Sequence, residues 1–166
     1  AKVCVVSCVN GRCDTTYIFI PPPNSVDPDP DASTFTTAGG VTPSIVLNDT
    51  TNGKQTTLGT TGNSTISKKD VWPVGITLDS TTGLVTVAPG TTPKVYKLAY
   101  TLCDTVTPKT CAVDTVTITV TPVIDPDPDA STFTTAGGVT PSIVLNDTTN
   151  GKQTTLGTTG NSTISK

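Results

Sequence analysis

Few residues in this chain can do chemistry, and they are of few kinds. Of 166 residues, thirteen are acidic, ten are Lys or Arg, five are Cys, and His is absent. All thirteen acids are Asp. Without His there is no Ser-His or Cys-His nucleophile pair, no imidazole base and no imidazole metal ligand. Without Glu, most paired-carboxylate schemes are excluded as well. What remains is carboxylate oxygen, which suits a hard divalent cation, and thiol sulfur, which suits disulfides. No catalytic constellation is present, and the chain reads as non-enzymatic.

The carboxylates concentrate in one phrase, Asp27-Pro28-Asp29-Pro30-Asp31, which recurs as Asp125-Pro126-Asp127-Pro128-Asp129. Alternating proline holds each Asp in extended or polyproline geometry. Every second side chain then projects to a similar side. Asn48-Asp49 and Asn146-Asp147, each following an apolar run, can add oxygen ligands. Asp27, Asp29, Asp31 and Asp49, with Asp125, Asp127, Asp129 and Asp147, are thus candidate ligands for calcium at module junctions. The alternative is a stiff, solvated linker.

The cysteines are arranged for disulfides. Cys8 and Cys13 flank Val9-Asn10-Gly11-Arg12, and Asn-Gly is the strongest two-residue hairpin signal. That register sets Cys8 opposite Cys13 at a non-hydrogen-bonded pair, where side chains approach most closely. Cys103 and Cys111 bracket a longer loop in the corresponding place. Bonds Cys8–Cys13 and Cys103–Cys111 are expected, and with them an oxidising compartment. Cys4 is left over, either as a buried free thiol or as an intermolecular link. Zinc is not expected, because no second ligand pair has suitable spacing.

The elements that position these residues read as strands. Thr fills 38 positions, and with Val and Ile it suits a pleated, half-buried surface. Fourteen Gly and fourteen Pro punctuate the chain about every ten residues. Strands are expected over 33–37, 43–47, 55–67 (one or two), 74–78, 84–87, 94–103 and 112–121. In the last two, Tyr96, Leu98, Tyr100 and Leu102 share a face, and Val116, Ile118 and Val120 form a buried one. Trp72, the sole Trp, is expected to plug a core or edge. A net charge of -3 with scattered Lys argues against nucleic acid. No apolar run approaches the roughly 20 residues of a membrane helix.

A repeat organises the whole. Residues 27–68 recur without a change as 125–166, and Cys13 and Cys111 keep the same offset of 98. Residues 1–26 are then the end of one module, 27–124 a complete module and 125–166 the start of the next. The expected fold class is all-β: tandem immunoglobulin-like, Greek-key β-sandwich modules of about 98 residues. With no starting Met and no signal peptide, the sequence reads as a piece of a longer chain. The last, partial module is completed either by continuation of the chain or by a neighbouring one.

The phrases VLNDTTNGKQTTLG, GITLDSTTGLVTVAPGTTP and YKLAYTLCD with TCAVDTVTITVTP resemble the tandem immunoglobulin- or cadherin-like repeats of large Bacteroidota cell-surface adhesins. Gliding-motility adhesins exported by the type IX secretion system are the set in view. The resemblance covers the complete module and, through the repeat, nearly the whole chain. It implies an extracellular location at a bacterial cell surface and a stiff stalk or filament of stacked modules. Its partners are then neighbouring modules, other copies in a filament, and a surface or glycan ligand at a distant tip. It also implies O-glycosylation of Asp-Ser/Thr triplets. Thr15, Thr50, Ser80, Thr105, Thr115 and Thr148 match; Thr50, Ser80 and Thr105 fall in expected turns, Thr115 in mid-strand. The alternatives are a carbohydrate- or ligand-binding module of a secreted enzyme, or a surface-layer or phage decoration protein.

Overall fold

The computed structural model describes residues 2–19 and 23–166. All regular structure in it is β. β1 (Lys2–Val9) and β2 (Arg12–Phe19) form an antiparallel hairpin. Asn10 and Gly11 sit at its tip with φ of 50° and 76°. Both central residues of a type I′ turn need that left-handed backbone. β1 is exposed along its whole length.

The sandwich opens with β3 (Val26–Asp27), β4 (Asp31–Thr36) and β5 (Gly40–Val41). β6 (Thr50–Thr51), β7 (Lys54–Gln55) and β8 (Ser64–Lys68) follow, then β9 (Ile76–Leu78) and β10 (Val85–Val87). Two long strands, β11 (Lys94–Asp104) and β12 (Cys111–Thr121), close it. One sheet runs β4-β12-β11-β8, with β4 parallel to β12 and the other pairs antiparallel. It faces a second sheet, β5-β10-β9, and β3-β6-β7 caps one end. This is an immunoglobulin-like sandwich.

The two inner faces supply the core. Tyr96, Leu98, Tyr100 and Leu102 alternate inward along β11, and Val116, Ile118 and Val120 along β12. Ile76, Val85 and Val87 meet them from the opposite sheet. The alternation read from the sequence thus matches the buried faces of both strands, since side chains alternate across a sheet.

Residues 43–47 depart from expectation: they form turns, not a strand. The ladder passes instead through β5, and Thr42 leaves it by exchanging bonds with Val85 at 2.9 Å through both its N–H and its hydroxyl. Pro43 has no N–H to continue the pairing. The turns still send Ile45 and Val46 into the core. An apolar run alone does not separate a buried loop from a strand.

Disulfides join Cys8 to Cys13 and Cys103 to Cys111. Each pair lies directly opposite in its hairpin, with Cα atoms 4.0 Å apart. Breaking Cys103–Cys111 by a double Cys→Ser change should cost about 2–3 kcal/mol, because the closed loop is short. Urea unfolding with and without reductant measures it. A loss below about 0.5 kcal/mol would show that the bridge does not constrain the unfolded chain.

The last stretch carries β13 (Ile124–Asp125), β14 (Thr148–Thr149) and β15 (Lys152–Gln153), which repeat the β3-β6-β7 cap. Its buried hydroxyl chain repeats too. Thr51 meets Thr56 at 2.9 Å and Ser64 at 2.6 Å; Thr149 meets Thr154 at 3.0 Å and Ser162 at 2.6 Å.

Candidate functional site

The Asp-Pro phrase does not hang between modules. Asp27 lies in β3 opposite Thr50, and the N–H of Asp29 donates to Asp49 Oδ1 at 2.9 Å. Asn48 Nδ2 donates to the Asp29 carbonyl at 3.2 Å. The phrase therefore folds onto the loop of the module it begins. Asp127 and Asp147 repeat the contact at 2.8 Å.

Of the eight candidate carboxylates, Asp31 and Asp49 come together. Asp27, Asp29, Asp125, Asp127 and Asp129 are exposed, and Asp147 is half-buried. Asp49 is fully buried. Asp31 points inward from β4. A third acid joins them that the sequence reading did not select. Asp114 stands on β12, on the same inward face as Val116, Ile118 and Val120. It lies opposite Tyr100, itself fully buried. The Oδ2 atoms of Asp31, Asp49 and Asp114 and the Tyr100 hydroxyl are buried without a hydrogen-bond partner. The signal was present: an Asp at an inward position of an alternating strand needs a partner.

The electrostatics follow from that placement. Burial, then the charges of Asp49, Asp114 and Asp29, push the Asp31 carboxyl up to about 7. Burial also pushes Asp49 up, to about 6, against the lowering effect of the Asp29 N–H. Burial and the same acids hold the Tyr100 hydroxyl protonated. Among the described residues no three Asp or Cys side chains are gathered into a ready-made metal cage.

A pH dependence follows. Both carboxyls titrate higher in the folded chain than in the unfolded one, where Asp sits near 3.9. Their protonation therefore favours folding. That stabilisation is complete below about pH 4 and is lost as pH rises through about 6–7. In EDTA the melting temperature should fall between pH 5 and pH 8, and Asp114→Asn should flatten the fall. A melting temperature that rises over that range would contradict the unpaired-acid arrangement.

The other singled-out positions contribute no carboxylate to this cluster. Thr50 is exposed but sits in β6, not in the expected turn, because Asp27 supplies it a strand partner. Ser80 is exposed in the turn that the Asp79 carboxylate organises through Thr81 N at 2.8 Å and Thr82 Oγ1 at 2.7 Å. Thr105 is exposed, with its hydroxyl donating to the Asn63 carbonyl at 3.2 Å. Thr148 is half-buried in β14. Cys4 is free and exposed, and among the described residues no second layer covers its hairpin. Trp72 is 7 % exposed and donates from Nε1 to the Ala99 carbonyl at 3.0 Å.

The fold and these positions define an all-β, immunoglobulin-like sandwich repeat with an acidic pole at one end. The chain is similar in structure to human protocadherin-24 EC1-2 (TM-score 0.46, 13 % identity, over 73 % of this chain and 65 % of that one). It is also similar to mouse cadherin-23 EC22-24 (TM-score 0.46, 12 % identity, over 72 % and 42 %). It thus spans less than two thirds of either fragment. No family model matches the sequence, and no curated protein matches it.

Proposed function

We propose that this chain is a structural segment of an extracellular, non-enzymatic adhesin of the Bacteroidota gliding-motility type, built as a stiff stalk of 98-residue sandwich modules. The junction carries the reading. β12 ends at Thr121 and β13 begins at Ile124, leaving Pro122 and Val123 between them. Asn150 takes both backbone groups of Val123, with its N–H on the carbonyl at 2.7 Å and its Oδ1 on the N–H at 2.8 Å. Thr37 Oγ1 of the preceding module donates to the same Oδ1 at 3.1 Å. A two-residue connection with one proline and a clamped backbone resists bending. Stability is then close to a sum over modules and junctions. The two disulfides support a location outside a reducing cytosol. Calcium at the junction carboxylates and sugars on Thr50, Ser80, Thr105 and Thr148 belong to the same reading.

A glycan-binding module is less well supported, since it needs a platform of neighbouring exposed aromatics: Trp72, Tyr96 and Tyr100 are buried, and the exposed Tyr17 and Phe133 stand in separate segments of the chain. Small-angle X-ray scattering of chains with two, three and four complete repeats tests the stalk. The maximum dimension should grow by about 40 Å per repeat, the length of an eleven-residue strand at about 3.4 Å per residue. Four glycines inserted between Pro122 and Val123 should make the rod flexible. A maximum dimension that does not grow with repeat number would sink the proposal.

A further inference from the structure

We propose that Asp31, Asp49 and Asp114, with the Tyr100 hydroxyl beside them, hold a divalent cation within the complete module, and that this cation is calcium. The expected calcium lay between modules on the Asp-Pro phrase; this site lies inside one sandwich and takes its third carboxylate from the closing strand. It does not rest on the stalk reading, because it needs nothing from a neighbouring module.

Three strands and a loop converge there. Asp31 pairs with Val116, so β4 places its carboxylate on the inner face near Asp114. Asp114 is opposite Tyr100. Asp49 reaches the group from the loop ahead of β6, fixed by the Asp29 N–H at 2.9 Å. Each of the three acids keeps one buried oxygen unpartnered. The charges that act on Asp31 are all carboxylates: Asp49, Asp114 and Asp29. Three like charges at a buried pole repel one another. A cation between them removes the repulsion and satisfies all three orphan oxygens together.

Tyr100 is an independent sign. It is fully buried, at 0 % relative exposure, and its hydroxyl has no partner. A buried hydroxyl without a hydrogen bond is costly. Hydrogen-bonded to a cation's water or ligand, it would be satisfied.

The chain contains its own comparison. Residues 125–166 have the same sequence as 27–68, yet Asp129 is exposed and Asp147 half-buried, whereas Asp49 is fully buried. The phrase alone does not make the site; β11 and β12 do. All-oxygen ligation from flexible carboxylates fits calcium, which accepts six to eight oxygens in irregular geometry, better than magnesium, which holds to an octahedron and its waters.

The test uses the full chain, stripped with EDTA at neutral pH, and Tb³⁺ as a luminescent calcium substitute sensitised by Tyr and Trp. Saturable emission that Ca²⁺ competes away is expected, with a higher melting temperature in Ca²⁺. Asp114→Asn should weaken binding at least tenfold. Asp70→Asn, at an exposed carboxylate outside the cluster, should leave it unchanged. If Asp114→Asn does not fold, Asp31→Asn carries the same expectation. Folded protein without saturable binding overturns the site. So does binding unchanged in Asp114→Asn, or lost in Asp70→Asn instead.

Discussion

Trp72→Ala should remove about 3–5 kcal/mol, the usual cost of truncating a buried aromatic side chain. Trp72 stands in the connection between β8 and β9, flanked by Val71 and Val74, which are 99 % and 100 % exposed. The ring anchors the segment to the sandwich, and its N–H shares the Ala99 carbonyl with the N–H of Lys69. The loss combines apolar contact with one hydrogen bond, while the Ala99 carbonyl keeps the Lys69 N–H at 3.1 Å. For a domain of this size, about 4–8 °C is lost per kcal/mol, so the melting temperature should drop by roughly 12–40 °C. Since Trp72 is the only Trp, circular dichroism must follow the transition. Trp72→Phe keeps most of the ring and loses the hydrogen bond, so it should cost about 1 kcal/mol. A drop under about 4 °C for the alanine variant would make Trp72 a surface plug with little role in the core.

The second large effect is a contrast between two glycines with identical sequence surroundings. Gly39 has φ +78°, and an added Cβ would run into the Val87 carbonyl oxygen and lie 2.9 Å from Ala88 C and Pro89 N. Gly137 has φ +79° with nothing within 4 Å of such a Cβ. Alanine at 137 should therefore cost only the left-handed backbone, about 1–2 kcal/mol. At 39 the collision adds to this, and backbone atoms cannot swing aside as a side-chain end can. An overpacking term of about 1–3 kcal/mol brings the total to roughly 2–5 kcal/mol. Chemical denaturation of the two single variants decides it. Equal losses would mean that the Gly39 turn can move away from β10.

Much of the fold was legible because strand periodicity is local. Tyr96, Leu98, Tyr100 and Leu102 are buried where alternation put them. So are Val116, Ile118 and Val120. The Asn10-Gly11 turn places Cys8 opposite Cys13 by register alone. The acidic pole was only partly legible. Asp31 and Asp49 were within reach of a reading of the Asp-Pro phrase, but Asp114 is 83 positions from Asp31 and meets it only because β4 pairs in parallel with β12. The alternation of β12 did carry a hint, since Asp114 shares the inward parity of three valine and isoleucine neighbours. The turns at 43–47 were misread because Pro43 and the Thr42–Val85 exchange are settled across the sandwich and not along the chain.

The two copies of one 42-residue sequence separate the local from the tertiary. Both fold the same three-stranded cap, the same Thr-Thr-Ser hydroxyl chain and the same left-handed Asn, at φ 52° for Asn52 and 53° for Asn150. These bonds close within about thirty residues, so the sequence determines them by itself. β4 and β8 form only in the copy that has β12 and β11 beside it; residues 129–134 and 162–166 make no strand. Ile66 is 4 % exposed and its copy Ile164 51 %. A strand's ladder bonds and covering layer come from distant segments. The burial of Asp49, the crowding at Gly39 and the acidic pole are therefore tertiary decisions.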